Sequence, residues 1–129
     1  MRRDLAGIIL VAAVGLGGIL RGAAYIDPPS TGLTNIVDQI VPLSVWAAVW
    51  LGTGLVTLVS AFFPRLRNTT MSFSAGLWLV WGLSYMHSTV FGDSSRGWVT
   101  GSTFLLVAGL IYGVAYLLAR QCALSKEGK

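Results

Sequence analysis

Four long stretches without a charged side chain divide this sequence, and they leave it few ways to fold. They run from Leu5 to Leu20, Gln39 to Pro64, Asn68 to Gly92 and Gly97 to Ala119, with Asp, Arg or Lys confined to their flanks. A bilayer core of about 30 Å is crossed by about 20 helical residues. The last three stretches reach that length directly. The first reaches it by continuing past Arg21 to Ile26, with the guanidinium snorkelling outward. Charged residues make up 11% of the chain, against roughly 25% in soluble domains, and mean hydropathy is +0.72. Too few polar groups remain to build a surface that faces water, so the expected solvent is lipid.

Lipid offers no partner to backbone N–H and C=O groups, so a spanning segment is a helix or part of a closed barrel. Barrel strands alternate in polarity over about 10 residues. Runs such as Leu5 to Val11 and Phe104 to Ala108 do not alternate. The expectation is therefore an all-α integral membrane protein. It is a single domain over residues 1–129, a bundle of four antiparallel transmembrane helices over residues 5–26, 41–63, 70–91 and 98–119. Basic residues mark the cytoplasmic side of such proteins. With the N-terminus inside, that side holds Arg2, Arg3, Arg65, Arg67, Arg120, Lys126 and Lys129, while the outer side holds Arg21 and Arg96. The resulting topology is N-in and C-in, as a multi-pass protein of a bacterial cytoplasmic membrane. The net charge of +4 is thereby spent on orientation, and nucleic acid is not expected as a partner.

The first span also has features of a secretory signal peptide: Arg2-Arg3, an apolar run, then Gly22-Ala23-Ala24. Arg21 interrupts the would-be cleavage region, which favours a retained anchor. In the first outer loop, Pro28-Pro29 stops the helix and Ser30, Thr31 and Gly32 form a turn. Leu33, Ile36, Val37 and Ile40 then recur at helical spacing. That predicts either a short amphipathic helix on the outer membrane face or an extension of the second span. Residues 64–70 read as a tight inner loop, and residues 92–97 as a polar outer turn.

Sixteen glycines are the most informative residues for packing. Gly18/Gly22, Gly97/Gly101 and Gly109/Gly113 are small pairs four apart, and Ala48/Gly52 and Ser72/Gly76 extend the pattern. Such pairs let helix backbones approach closely. They serve either packing within the chain or a seam between copies. Among the aromatics, Tyr25, Trp46, Trp50, Tyr85 and Trp98 fall toward the outer interface, and Phe62, Phe63, Tyr112 and Tyr116 toward the inner one, as in an interfacial belt. Trp78 and Trp81 lie deeper and share a face with Ser74, Tyr85 and Ser88, which suits bundle packing or a ligand cleft.

Catalysis finds little support. His87 is the only histidine and Cys122 the only cysteine, so neither a metal site nor a disulfide is expected. Ser84 and His87 stand about one turn apart on one helix, unlike the separate helices of intramembrane serine proteases. No acidic residue or lysine lies within a span, whereas coupled transporters and proton relays work through such groups. Small multidrug exporters carry a glutamate in their first helix, and this first helix has none. The expectation is a protein that is not an enzyme and has no cofactor. Thr53, Thr57, Ser60, Thr100, Ser102 and Thr103 remain to bond a neighbouring helix or line a weakly hydrated path.

In size, in its Met1-Arg2-Arg3-Asp4 start, in its Gly/Ala/Val/Leu/Trp-rich spans and in its short basic tail, the chain resembles the small four-helix membrane proteins of actinobacterial phages. Some of these are holin-like. The likeness covers the full length and is one of composition and layout. It implies a protein that oligomerises in the host inner membrane and permeabilises it during lysis. Gly18, Gly22, Gly97, Gly101, Gly109 and Gly113 would then be close-contact sites, and Arg2, Arg3, Arg65, Arg67, Arg120 and Lys126 the topology anchors. The alternative is an accessory or superinfection-exclusion protein that binds another membrane protein through residues 33–40 and the Trp78/Trp81 face.

Overall fold

The computed structural model describes residues 2–27, 36–92 and 96–127, and these are almost wholly α-helical. The helices are α1 (Arg2–Ala24), α2 (Ile36–Ile40), α3 (Leu43–Ser60), α4 (Pro64–Phe91) and α5 (Gly97–Glu127). The expected turn at residues 28–32, Leu33 and residues 93–95 lie outside the described residues.

Local chemistry sets the helix ends. At the end of α1, Tyr25 N–H donates to Gly22 O and Ile26 N–H to Ala23 O, both at 3.1 Å, which tightens the last turn. Pro42 separates α2 from α3, with φ −54° and ψ 139°. Residues 36–40 are therefore a helix of their own and not an extension of the second span. The expected inner loop at 64–70 is also revised: Pro64 opens α4 instead. A proline at the first helical position gives up no hydrogen bond and brings a φ already suited to the helix. The turn between α3 and α4 shrinks to residues 61–63, and Arg65 and Arg67 ride on the first turns of α4. Arg67 donates from Nε (3.0 Å) and Nη2 (2.5 Å) to Ala61 O, covering a carbonyl that the end of α3 leaves open.

Contacts between the long helices give their directions. Gly15 lies against Leu58 and Gly22 against Ala47 and Leu51, so α1 and α3 are antiparallel. Thr57 pairs with Ser74 and Ser60 with Thr70, so α3 and α4 are too. Gly82 meets Leu105 and Gly101 meets Met86, so α4 and α5 complete an up-down-up-down arrangement. The interfaces are unequal. The α1/α3 and α4/α5 pairs are extensive and the α3/α4 interface between them is much smaller.

This arrangement gives two ends. The basal end collects the start of α1, the α3–α4 turn and the end of α5. The distal end collects the end of α1, α2 and the start of α5. Val11, Ala61, Met71, Ala75, Ile111 and Ala115 form the basal core. Tyr25, Ala47, Trp50, Trp81 and Phe104 form the distal one.

The exterior is apolar. Leu20, Ile40, Phe62, Phe91, Leu106 and Leu110 are each at least two-thirds exposed. Leu5–Ala24, Leu43–Ser60 and Gly97–Gln121 are long and apolar enough to cross a membrane, yet only 22–28% of their residues are buried inside the chain. The rest of these segments needs a covering other than water. The expected third span departs from the pattern. Helix α4 has the length, at 28 residues, but is not among the helices apolar enough by composition. Its buried residues include Ser74, Ser84 and Ser88, so several of the hydroxyls that lower its average hydropathy face inward.

Candidate functional site: a caged arginine beside an apolar groove

At the distal end, Arg21 does not extend outward as the sequence suggested. It lies in the last turn of α1, where a cation favours the helix dipole, and folds half-buried against its neighbours. Its Nη2 donates to the hydroxyls of Tyr25 (3.1 Å) and Tyr85 (3.2 Å). The guanidinium carbon stands 4.9 Å from the Tyr25 ring centroid and 5.0 Å from that of Phe104. Each such cation–π contact contributes about 0.5–2 kcal/mol, more as water is excluded. Tyr25 Oη also accepts from Trp81 Nε1 at 2.8 Å, so one hydroxyl joins α1 to α4. The Arg21 Nε is buried with no hydrogen-bond partner.

Below the arginine lies a tryptophan cluster built from α3 and α4. Trp81 (0% exposed) and Trp50 (1%) are its centre. Trp46 and Trp81 meet edge to face at 4.5 Å, as do Trp50 with Trp78 at 5.2 Å and Trp50 with Trp81 at 5.3 Å. Phe104 of α5 tilts against both Trp78 (4.9 Å) and Tyr85 (5.6 Å). Aromatic pairs of this kind add about 0.5–1.5 kcal/mol beyond area burial. Trp46 Nε1 donates to Val37 O at 3.0 Å, which pins α2 over the cluster. Trp50 Nε1 is buried without a hydrogen-bond partner. Its ring stands edge to face with those of Trp78 and Trp81.

This geometry corrects the expected belt. Tyr25 and Trp50 are buried in the distal core, Trp46 and Tyr85 pack half-buried against it, and Trp98 is exposed. On the basal side Phe62, Phe63, Tyr112 and Tyr116 do face outward. Trp81 is wholly buried and offers no surface to another protein, whereas the half-buried Trp78 lines an apolar groove. Of α2, Ile36 and Ile40 remain exposed. His87 is exposed beside the Phe91 ring at 4.9 Å.

Toward the basal end, hydroxyls bridge α3 and α4. Thr57 Oγ1 and Ser74 Oγ are 2.9 Å apart, and Ser60 Oγ and Thr70 Oγ1 are 2.7 Å apart. Ser60 also donates to Thr57 O at 2.7 Å. Thr57 and Ser60 are essentially inaccessible, so these bonds satisfy groups that would otherwise cost about 1–3 kcal/mol each.

The predicted glycine sites separate into two kinds. A Cβ on Gly18 would stand 2.9 Å from Gly54 Cα, one on Gly22 2.8 Å from Leu51 N, and one on Gly101 3.1 Å from Gly82 O. These three are contacts within the chain. Gly97 is buried at the start of α5. A Cβ on Gly109 or Gly113 would meet nothing within 4 Å, and the same holds for Gly52 and Gly76. Among the described glycines the tightest approaches are those of Gly54 to Ile19 N (2.5 Å) and Gly15 to Leu58 N (2.6 Å), which the spacing of four did not pick out; the 3–4 spacing of Gly15, Gly18 and Gly22 carries that signal. Of the expected anchors, Arg2 and Arg3 belong to the first turn of α1 and Lys126 to the last turn of α5. Arg65 and Arg120 are exposed. All of these, with Arg67, belong to the basal end.

A nearly wholly apolar groove of about 310 Å³ opens between α1 and α5, with Met71 and Trp78 of α4 in its floor. Among the described residues no cluster of His, Cys, Asp and Glu has the makings of a metal site. No protein-family profile matches this chain, and neither a curated protein nor a solved structure is significantly similar to it.

Proposed function

We propose that the chain is a four-span, N-in/C-in protein of a bacterial cytoplasmic membrane that self-associates and permeabilises that membrane, in the manner of a holin. The apolar exterior supports the bilayer reading. Helix α4 joins the spans because its outer side carries Phe73, Leu79, Val80, Leu83 and Val90, all exposed. The sharing of the basal end by the anchors agrees with the orientation that arginine and lysine prefer.

One observation carries the permeabilising role: the hydroxyl bridges lie across the small α3/α4 interface. Between the α1/α3 and α4/α5 pairs, Thr57, Ser60, Thr70 and Ser74 now satisfy one another. If the two pairs part, these hydroxyls line a wet path while the glycine-locked contacts within each pair persist. The open Gly109/Gly113 face of α5 then serves contact between copies, since small residues permit close approach in lipid. No catalytic group or cofactor takes part.

The test is a reversible bolt. In a Cys122→Ser background, Thr57→Cys with Ser74→Cys places two thiols where the hydroxyls are 2.9 Å apart. Oxidised, this variant should insert normally and leave membrane potential and viability intact. Reductant should restore abrupt depolarisation. Depolarisation that is equally fast with the bolt closed rules out parting of the pairs. An accessory or exclusion protein that binds another membrane protein is the second reading, and the exposed Ile36 and Ile40 of α2 favour it. Sustained growth with normal membrane potential at high expression would decide for that reading.

A further inference from the structure

We propose that the groove between α1 and α5 binds one anionic phospholipid, with an acyl chain along the groove and the phosphate on Arg21. Leu10, Val14 and Gly17 of α1 and Val107 and Ile111 of α5 line this groove over Trp78. Arg21 follows Leu10, Val14 and Gly17 at the helical 3–4 spacing, so it stands on the same face of α1 as the groove. Gly17 gives the groove depth, because a Cβ there would already be 3.7 Å from Trp78 Cζ2. Leu10 to Arg21 rises about 16 Å at 1.5 Å per residue, close to half of a bilayer core of about 30 Å. The groove and its cation thus match one leaflet: an apolar channel for a chain and a positive charge at headgroup depth.

Charge complementarity selects the headgroup. Both hydrogen bonds of Arg21 use Nη2, so of the five N–H donors of a guanidinium the three on Nε and Nη1 have no partner among the described residues. Among the described residues no carboxylate pairs with the guanidinium; tyrosine hydroxyls and ring faces orient it without neutralising it. A cation held in an apolar span is stable when it is paired. A phosphate supplies the countercharge and can accept from the Nη1 donors. A zwitterionic headgroup brings its own ammonium into competition, which favours a lipid of net negative charge. Free phosphate lacks the chain that the apolar groove accommodates.

This inference rests on the bilayer reading, and the experiment separates the two. The full chain is purified in detergent and titrated with phosphatidylglycerol, phosphatidylcholine or inorganic phosphate, with adducts counted by native mass spectrometry. One phosphatidylglycerol should bind, at least tenfold more tightly than phosphatidylcholine, and inorganic phosphate should not displace it. Arg21→Gln should weaken binding at least tenfold. Gly17→Leu, which fills the groove and keeps the cation, should do the same while near-UV circular dichroism reports an intact tryptophan cluster. Equal affinity for the two lipids, undiminished binding by Gly17→Leu, or displacement by inorganic phosphate overturns the site. Wild-type chain that leaves membranes on alkaline extraction refutes the bilayer reading itself; chain that stays but carries no lipid refutes only the lipid site.

Discussion

Residues with no side chain set the distance between α1 and α3. A Cβ on Gly54 would stand 2.5 Å from Ile19 N and 2.7 Å from Gly15 O, backbone atoms that cannot rotate away. Gly54→Ala should therefore lower the stability of the folded chain by about 1–3 kcal/mol, the cost of overpacking a tight contact. Gly109→Ala has the opposite sign. Its methyl meets nothing, and alanine is favoured over glycine within a helix by about 0.5–1 kcal/mol. Unfolding of the two variants by denaturing detergent, followed by circular dichroism, checks the contrast. Small-residue spacing pointed to Gly18 and Gly22 but could not say which glycines face a neighbour. Gly54 sits two residues from Gly52, which is open, and only the backbone opposite tells them apart. Tyr25 makes the same point for polar groups. Tyr25→Phe removes the acceptor shared by Trp81 and Arg21, and should cost about 1–3 kcal/mol as a buried donor loses its partner.

At the scale of elements, the long helices were legible because an uncharged run flanked by charges has one stable form in lipid. Their ends were less so. Pro64 reads equally well as a loop residue or as the first residue of a helix, and the contacts of α3 and α4 decide for the helix. The inward turn of Trp46 and Trp50 was not legible, since a tryptophan near a helix end suits a headgroup rim or an aromatic core equally. Helix α5 shows what remains on the outside: Leu106, Leu110, Tyr112, Tyr116 and the open Gly109 are exposed. Gly109→Leu with Gly113→Leu should leave insertion and the tryptophan signal unchanged, because a Cβ at either site meets nothing within 4 Å. It should delay depolarisation several-fold by obstructing contact between copies. Unchanged timing would remove this face from the mechanism.

For the whole molecule, antiparallel packing brings Arg65, Arg67 and Arg120 to the end that α1 starts from. Reporter fusions after Arg65 and after the last residue should therefore label the same side of the membrane, with a fusion at His87 on the other. The charge pattern made this layout readable before any contact was known. It did not reveal that the helices associate as two unequal partnerships. That inequality bears on how the molecule comes apart. Cooperative units in a protein open at different free energies, so a denaturant should not melt this chain in a single event. The near-ultraviolet signal of the indoles shared between the partnerships should fade first, while helix content persists in two stubborn hairpins.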